Sequence, residues 1–206
     1  MMPAGAKGTP NHAEKVMKYY SIATGDSSAE ISLLEGNSGL KVVYYNQGDA
    51  AWKSIPYSTS TIGQSGCGPT SMAICISTLS GKKITPRQTC QWAGSQGYYV
   101  KGAGSKHDVI PGLAKKYGVK CKGVGKNKPQ IIQALKTGKL VVAIMSAGHF
   151  TSGGHFIVLT GIKDGKITVA DCGSRQRTKQ TWSLDLIVNE SNSSASAGGP
   201  FWIISK

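Results

Sequence analysis

The segment Gly66-Cys67-Gly68-Pro69-Thr70-Ser71 stands at the start of a stretch with helical periodicity. Apolar residues recur at helical spacing through Leu79, and Gly81 follows as a stop signal. Pro69 falls in the first turn, where its missing N–H costs nothing because the first N–H groups of a helix have no partner within it. The sequence therefore predicts a helix from Cys67 to Leu79 with a cysteine at its N-terminus.

The rest of the chain divides into predicted helices and then predicted strands. Start and stop signals predict three further helices, at about 85–95, 105–117 and 127–137, and residues 63–66 read as a loop. A strand is predicted at 40–45, before the helices. After the helices the hydrophobic period changes, and strands are predicted at 140–145, 155–162, 166–170 and 201–204. Asp164-Gly165 is a strong hairpin signal between two of them, and 191–199 is expected to be a mobile loop. Helices followed by an antiparallel sheet predict an α+β fold.

The length of 206 residues suits one domain with a sizeable core. A cluster of turn formers, Gly36-Asn37-Ser38-Gly39, separates an N-terminal appendage or arm (1–39) from the predicted domain (40–206). No run of about 18 apolar residues occurs, so we expect no transmembrane helix. The N-terminus lacks the apolar core of a secretory signal peptide, which leaves any export route open.

The net charge is +14, and it is unevenly distributed. Between Lys101 and Lys139 there are ten lysines and one acid, Asp108. Such a surface favours anionic partners, although a simple solubilising face remains an alternative. We expect an anionic bacterial wall polymer rather than nucleic acid, because basic and aromatic residues do not interleave and no zinc-finger spacing occurs.

The five cysteines are Cys67, Cys75, Cys90, Cys121 and Cys172. An odd number without a close CxxC pair argues against a disulfide framework and against a structural zinc site. At least one thiol is therefore expected to stay free, and Cys67 is the candidate. We expect neither a metal nor an organic cofactor.

Cys67 has the setting that a nucleophilic thiol needs. The free N–H groups and the positive dipole end of a helix stabilise a thiolate, which lowers the thiol pKa. Gly66 and Gly68 leave room for a substrate backbone beside the sulfur, so both are candidate substrate-binding residues. The Cys67 N–H can also contribute to an oxyanion site. The alternative is a buried structural thiol at a turn.

A candidate base and its orienting group lie downstream. His155 opens a predicted strand after two glycines, of which Gly154 is a further candidate for substrate binding. Asp171 ends the strand that the hairpin pairs with the His155 strand, so it can reach the imidazole and fix its tautomer. His149 is the local rival of His155, and both His155 and Asp171 could instead be ordinary strand-end residues.

An oxyanion donor is also required. Gln47 lies in Asn46-Gln47-Gly48-Asp49, and Gln64 lies three residues before Cys67. The residues alone do not separate these two candidates.

Several blocks of this sequence resemble the C39-like peptidases of the papain-like superfamily. The first blocks are Asn46-Gln47-x-Asp49-x-x-Trp52, Pro56-Tyr57 and Ser65-Gly66-Cys67-Gly68-Pro69-Thr70-Ser71. The later blocks are Gly148-His149-Phe150-Thr151-x-Gly153-Gly154-His155-Phe156-Ile157-Val158-Leu159 and Val169-Ala170-Asp171. They occur in the same order as in that family, from about Val42 to Ser205.

The resemblance implies a papain-like fold in which the cysteine helix packs on an antiparallel sheet. It implies Cys67 as nucleophile, His155 as general base and then acid, and Asp171 as orienting residue, and it favours Gln47 as the oxyanion donor. Relatives often carry Asp-Pro where this chain has Asp171-Cys172, so the turn after Asp171 is expected to differ.

The resemblance and the positive charge together suggest a peptidoglycan-directed endopeptidase or amidase of a bacterial or phage wall-lytic system. The expected location is extracellular or at the cell wall. Three alternatives remain: a protease that processes peptides or proteins, a transpeptidase or acyltransferase with the same triad, and a non-catalytic wall-binding module.

Overall fold

The structure, a computed structural model, describes residues 32–36 and 39–206. The predicted N-terminal appendage therefore lies largely outside the described residues. Its described part is strand β1 (Ser32–Glu35), which pairs antiparallel with β2 (Lys41–Tyr44). The boundary of the appendage at residue 39 stays a prediction. Among the described residues, no helix is both long enough and apolar enough to cross a membrane.

The central element is a six-stranded antiparallel sheet. Its strands are β7 (Lys120–Gly123), β8 (Leu140–Met145), β9 (His155–Lys163), β10 (Lys166–Ala170), β11 (Thr181–Trp182) and β12 (Phe201–Ser205). They are arranged in the order β11-β10-β9-β8-β12-β7. Besides β1 and β2, two further small pairs lie outside it, β3 (Pro56–Tyr57) with β4 (Ser60–Thr61) and β5 (Tyr99–Val100) with β6 (Gly104–Ser105).

Seven helices are described. They are α1 (Ile62–Ser65), α2 (Cys67–Ser80), α3 (Pro86–Ser95), α4 (Val109–Tyr117), α5 (Lys128–Lys136), α6 (Arg175–Thr178) and α7 (Leu184–Glu190). The helix predicted from Cys67 is confirmed, and Gly81 ends it in the left-handed conformation that favours glycine. The loop predicted at 63–66 is wrong, because a single helical turn (α1) stands there. The helix predicted from residue 105 begins only at Val109, because Ser105 pairs with Tyr99.

The hairpin between β9 and β10 forms as the sequence predicts. Asp164 and Gly165 both have positive φ angles, of 49° and 72°, as a two-residue type I′ hairpin turn requires. The turn pairs Lys166 with Lys163, and a bulge between Thr168 and Val169 then shifts the register by one residue, so that Ala170 pairs with Val158. Asp171 follows directly, and it is therefore brought beside the start of β9.

Helices cover both faces of the sheet. Side chains alternate along β9, so Phe156 faces α2, where its ring approaches Gly68. The next residue, Ile157, faces the opposite way and joins a core cluster with Ile131 of α5 and Ile187 of α7. These helices and this antiparallel sheet confirm the predicted α+β class.

Helix α2 is buried on all sides rather than along one stripe. Met72, Ile74 and Ile76 point in different directions around the helix, yet each is at most 1% exposed. A helix that is apolar all round belongs in the interior. Burial on every side fixes the helix axis, and with it the position of Cys67 at the helix N-terminus.

Gly66 joins α1 to α2 and allows no side chain. A Cβ at this position would lie 2.6 Å from the Ile62 carbonyl oxygen, which is backbone and cannot rotate away. Gly66→Ala should therefore lower the free energy of unfolding by about 1–3 kcal/mol, as overpacking typically does. Gly153→Ala is the matched control, because a Cβ there meets nothing within 4 Å. Urea denaturation of both variants would test this; equal stability of the two would show that the contact is not restrictive.

Candidate active site

Cys67 is the first residue of α2, at the point where this helix meets the start of β9. Gly66 precedes it as the N-cap residue and offers no side chain to cap the helix. The first N–H groups of the helix are therefore free to act on the thiol. The thiol is half-buried, and the backbone N–H groups of Gly68 and Phe156 bond to it.

His155 and Asp171 lie in direct contact. His155 Nε2 is 2.7 Å from Asp171 Oδ1, and both residues are buried, at 8% and 0% exposure. With Nε2 engaged by the carboxylate, Nδ1 is the ring nitrogen left for the Cys67 thiol. The structure thus brings together the three residues that the sequence singled out from separate blocks.

The electrostatics favour a thiolate–imidazolium pair. Burial raises the pKa of the Cys67 thiol, but the hydrogen bond and charge of His155 and the backbone N–H groups outweigh it, so the pKa lies below its usual range. Burial likewise lowers the pKa of His155, but hydrogen bonds with Asp171 and Cys67 raise it to about 9. The fall of the thiol pKa and the rise of the imidazole pKa both favour the form in which the two groups are charged.

Asp171 is held ionised by several donors. Burial raises its pKa, but His155 and Arg177 lower it below the ordinary value. Arg177 Nε donates to Oδ2 (2.6 Å), and the Gly173 N–H donates to Oδ1 (2.8 Å). The Tyr44 hydroxyl donates to the Asp171 carbonyl oxygen (2.9 Å). Backbone and carboxylate are thus both fixed.

Gln47 is buried close to Cys67, whereas the side chain of Gln64 is exposed. The Gln47 N–H donates to the Cys172 carbonyl oxygen (2.8 Å), and Gln47 Nε2 donates to the Gly63 carbonyl oxygen (2.9 Å). The buried Cys172 thiol lies 3.4 Å from both Gln47 Oε1 and the Cys67 carbonyl oxygen. Gln64 is exposed and accepts a hydrogen bond from Ser60.

The block Asn46-Gln47-Gly48-Asp49 is stabilised by its own hydrogen bonds. Asn46 Oδ1 accepts from the Gly48 N–H (2.8 Å), and the Trp52 indole donates to the Asn46 carbonyl oxygen (2.7 Å). Asn46 Nδ2 donates to the Tyr44 hydroxyl, which in turn holds Asp171. The residue types of this block therefore serve to place Gln47.

Comparison with known proteins assigns the chain to a family. The Peptidase_C39 like family matches residues 39–197. The chain belongs to this family. It is accordingly a cysteine peptidase, a hydrolase that acts on peptide bonds, as the resemblance implied. No curated protein sequence matches the chain.

Two solved structures are similar to this C39-like peptidase. A protein from Bacillus anthracis described as a C39-like peptidase superposes with a TM-score of 0.52 at 17% identity, covering 86% of this chain and 98% of that one. The peptidase domain of Streptococcus ComA, a bifunctional ABC transporter of a quorum-sensing pathway, gives 0.49 at 13% identity, covering 68% and 91%. The first likeness confirms the papain-like fold.

The three glycines predicted to bind substrate have different surroundings. Gly66 and Gly68 are buried, and a Cβ at Gly68 would lie 3.2 Å from the Phe156 ring. Packing therefore gives a reason for glycine at both positions that sequence reasoning did not supply. Gly154 is exposed, with open space around its Cα. Substrate contact by these residues stays a prediction.

His149, the rival of His155, is engaged elsewhere. Its backbone N–H and its Nδ1 both contact the Glu190 carboxylate, and it is exposed. The structure therefore places His155, and not His149, beside Asp171. Among the described residues, no group of three or more His, Cys, Asp or Glu side chains is placed to hold a metal ion.

Sequence reasoning missed two residues of this peptidase that touch the site, Arg177 and Cys172. Arg177 lies in a basic stretch on a four-residue helix that no periodicity predicts. Cys172 was noted as one of five cysteines and as a departure from Asp-Pro in relatives, yet its thiol contacts both Gln47 Oε1 and the Cys67 carbonyl oxygen. Neither position carries a sequence signal beyond its nearness to Asp171.

The thiols should differ sharply in reactivity. Burial raises the pKa of Cys121 to about 11, and it raises those of the fully buried Cys75, Cys90 and Cys172 well above 9. At pH 7 only about one Cys121 in 10⁴ is then a thiolate. Iodoacetamide should therefore modify Cys67 at least about 100-fold faster than any other cysteine, as measured by peptide mass spectrometry.

The same experiment has a defined pH dependence. Because the pKa of Cys67 is lowered, its alkylation should reach its maximum at a lower pH than that of an ordinary thiol. Turnover needs the imidazolium as well, so it should decline as the pH rises through about 9, the pKa of His155. Equal alkylation of Cys67 and Cys121 at neutral pH would contradict the electrostatic account.

Proposed function

We propose that this cysteine peptidase cleaves amide bonds through a Cys67-His155-Asp171 triad, with Gln47 as oxyanion donor, and that its substrate is peptidoglycan. The observation that carries the triad is the hydrogen bond between His155 Nε2 and Asp171 Oδ1 beside a thiol of lowered pKa. The arrangement meets the requirements of nucleophilic catalysis, which are a nucleophile, an adjacent base and a third group that orients the base.

In the first half of the reaction, the Cys67 thiolate attacks the carbonyl carbon of the scissile amide and forms a tetrahedral oxyanion. The imidazolium of His155 then donates its proton to the amide nitrogen, the C–N bond breaks and the amine leaves. A thioester with Cys67 remains, and His155 is now neutral. Asp171 keeps the imidazole in the tautomer that presents Nδ1 to the reacting atoms.

In the second half, neutral His155 takes a proton from a water molecule, which attacks the thioester carbon. The C–S bond then breaks, the acid product leaves and the thiolate–imidazolium pair is restored. If an amine attacked instead, the product would be a new amide, which is the transpeptidase alternative. The residues of the triad are compatible with either acceptor.

The oxyanion has two proposed donors, the Cys67 N–H and the Gln47 amide. One Gln47 Nε2 hydrogen is used by the Gly63 carbonyl oxygen, which leaves the other for a ligand. The Cys172 thiol next to Oε1 supports this orientation of the amide, because it stays protonated and can donate. Removal of one such donor typically lowers kcat by about 10²–10³-fold.

The distribution of charge supports a bacterial wall as the place of action. A groove of about 400 Å³ lies between α5 and the edge strand β7. Lys120, Lys122 and Lys139, all exposed, line it, and we call it the lysine groove. An adjoining cavity shares Lys120 and Lys139 and adds Lys206. Among the described residues that line either cavity there is no Asp or Glu.

The lysine groove lies away from the proposed catalytic site. Lys139 precedes Leu140 at one end of β8, whereas Met145 at its other end pairs with His155. The two are therefore separated by about 20 Å, given a rise of about 3.3 Å per residue. A polyanion in the groove would hold the enzyme on the wall without occupying the cleft. Among the described residues that line the groove there is no aromatic side chain for base stacking, which favours a wall polymer over nucleic acid.

Cys67→Ala should abolish lysis of purified walls while leaving the fold intact, because it removes the proposed nucleophile and only truncates a half-buried side chain. Zymography with peptidoglycan would measure the loss, and circular dichroism would measure the fold. Gln47→Ala should retain about 1% of wild-type activity or less. Residual lysis by Cys67→Ala near the wild-type rate would refute the triad.

A peptide panel separates the wall hypothesis from the processing-protease alternative. We expect wild-type enzyme to release new amino termini from purified walls, with the cleaved bond identified by mass spectrometry of defined muropeptides. Hydrolysis of ordinary peptides without any cleavage of walls would overturn the peptidoglycan assignment and leave the triad in place.

The lysine groove gives a separate prediction about binding. Replacing Lys120, Lys122 and Lys139 by Gln should weaken cosedimentation of inactive Cys67→Ala protein with teichoic-acid-bearing walls, and the weakening should be greatest at low salt. The control replaces Lys115, Lys116 and Lys166 by Gln, which removes the same charge elsewhere. Equal losses in the two triple variants would show that only net charge matters.

A further inference from the structure

Arg177 contributes a second cation to the buried carboxylate of Asp171. Its Nε donates to Asp171 Oδ2 at 2.6 Å, from the short helix α6. The Arg177 side chain is 27% exposed, whereas the Asp171 side chain is fully buried. A hydrogen-bonded ion pair in this setting is stronger than a surface pair, because solvent screens it less.

The partners of the carboxylate are divided between its two oxygens. Oδ1 accepts from His155 Nε2 (2.7 Å) and from the Gly173 N–H (2.8 Å), and Oδ2 accepts from Arg177. Bonds to both oxygens fix the rotation of the carboxylate about its Cβ–Cγ bond. Without Arg177, Oδ2 would be a buried charged atom that has lost its donor, which is costly.

The charge of His155 changes during the proposed reaction, but that of Arg177 does not. In the resting pair the imidazolium neutralises Asp171. In the thioester state His155 is neutral, and it must then act as a base. A buried carboxylate without a cation tends to take up a proton, and a protonated Asp171 would no longer support that base. An arginine stays charged at every pH of interest.

We propose that Arg177 is a positioning residue that keeps Asp171 ionised and turned toward His155 in both halves of the reaction. The proposal rests on the proposed triad and deepens it. It assigns to the α6 helix a role in catalysis that acts entirely through Asp171.

Other titratable groups around Asp171 do not supply this charge. Tyr44 of β2 bonds to the Asp171 carbonyl oxygen and has a raised pKa, so it is neutral, as is the buried Cys172. Cys67 of α2 carries the opposite charge when it is a thiolate. Arg175 of α6 forms an ion pair with Asp49, and its guanidinium lies 5.9 Å from the centre of the Tyr44 ring. Its charge therefore stabilises Asp49 and not Asp171.

The test measures the acid limb of Cys67 alkylation by iodoacetamide between pH 3 and pH 8 for wild type, Arg177→Met, Arg177→Lys and Arg175→Met. Loss of Arg177 raises the pKa of Asp171. Asp171 then becomes protonated at higher pH, the imidazolium loses its support and the thiolate is lost with it. The midpoint of alkylation should therefore move up by about half a pH unit or more in Arg177→Met.

The controls separate this role from a general loss of structure. Arg177→Lys keeps the charge, so its midpoint should stay close to the wild-type value. Arg175→Met removes a charge from the same helix and should leave the midpoint nearly unchanged. In an Asp171→Asn background, Arg177→Met should cause no further shift, since the two residues act as one unit. A merely structural role would lower the reactive fraction at every pH without moving the midpoint.

Three outcomes would overturn the proposal: an unmoved midpoint in Arg177→Met, an equal shift in Arg175→Met, or a full additional shift in the Asp171→Asn background. If Arg177→Met does not fold, Arg177→Gln retains an N–H donor without the charge and should give the same direction of shift.

The iodoacetamide probe needs no substrate. An unreactive Cys67 in wild type would therefore refute the proposed function, whereas a reactive Cys67 with an unmoved midpoint would refute this proposal alone.

Discussion

The packing of helix α2 against strand β9 is the contact on which the rest of the site depends. The helix carries Cys67 at its first residue, and the strand carries His155 at its first residue. Gly68 allows the close approach, because a Cβ there would press on the Phe156 ring. A helix buried on all sides cannot shift without opening the core. The distance between thiol and imidazole is therefore set by the interior of the molecule and not by a loop.

The buried charges of the site stabilise each other in a chain. Ionisation of Cys67, His155 or Asp171 alone in the interior would cost free energy, since burial opposes the charged form of all three. Because the charges of these side chains alternate in sign, each charge stabilises its neighbours. Arg177 is the last of these charges, and its side chain is partly exposed to solvent. This order explains how the pKa of the thiol falls while that of the imidazole rises.

Much of the fold followed from local signals, and the failures have physical reasons. The helix from Cys67 and the hairpin at Asp164-Gly165 were predictable because proline, glycine and periodicity act locally. Strand β7 was missed, because Lys120 and Lys122 alternate with small residues on an edge that water solvates. The packing role of Gly66 was missed, because residues 63–66 were predicted as a loop and not as the helical turn whose Ile62 carbonyl oxygen approaches Gly66. Arg177 was missed because only the folded chain brings it to Asp171.

The central claim is that Cys67 forms a covalent acyl intermediate whose breakdown depends on His155. The most direct measurement is the mass of the intact enzyme after a short exposure to an activated ester and an acid quench, with the modified residue located by tandem mass spectrometry. The account predicts one acyl group, attached as a thioester to Cys67 and turned over in wild type, with no such adduct in Cys67→Ala. Ester turnover without an adduct on Cys67, or an adduct on another residue, would contradict it.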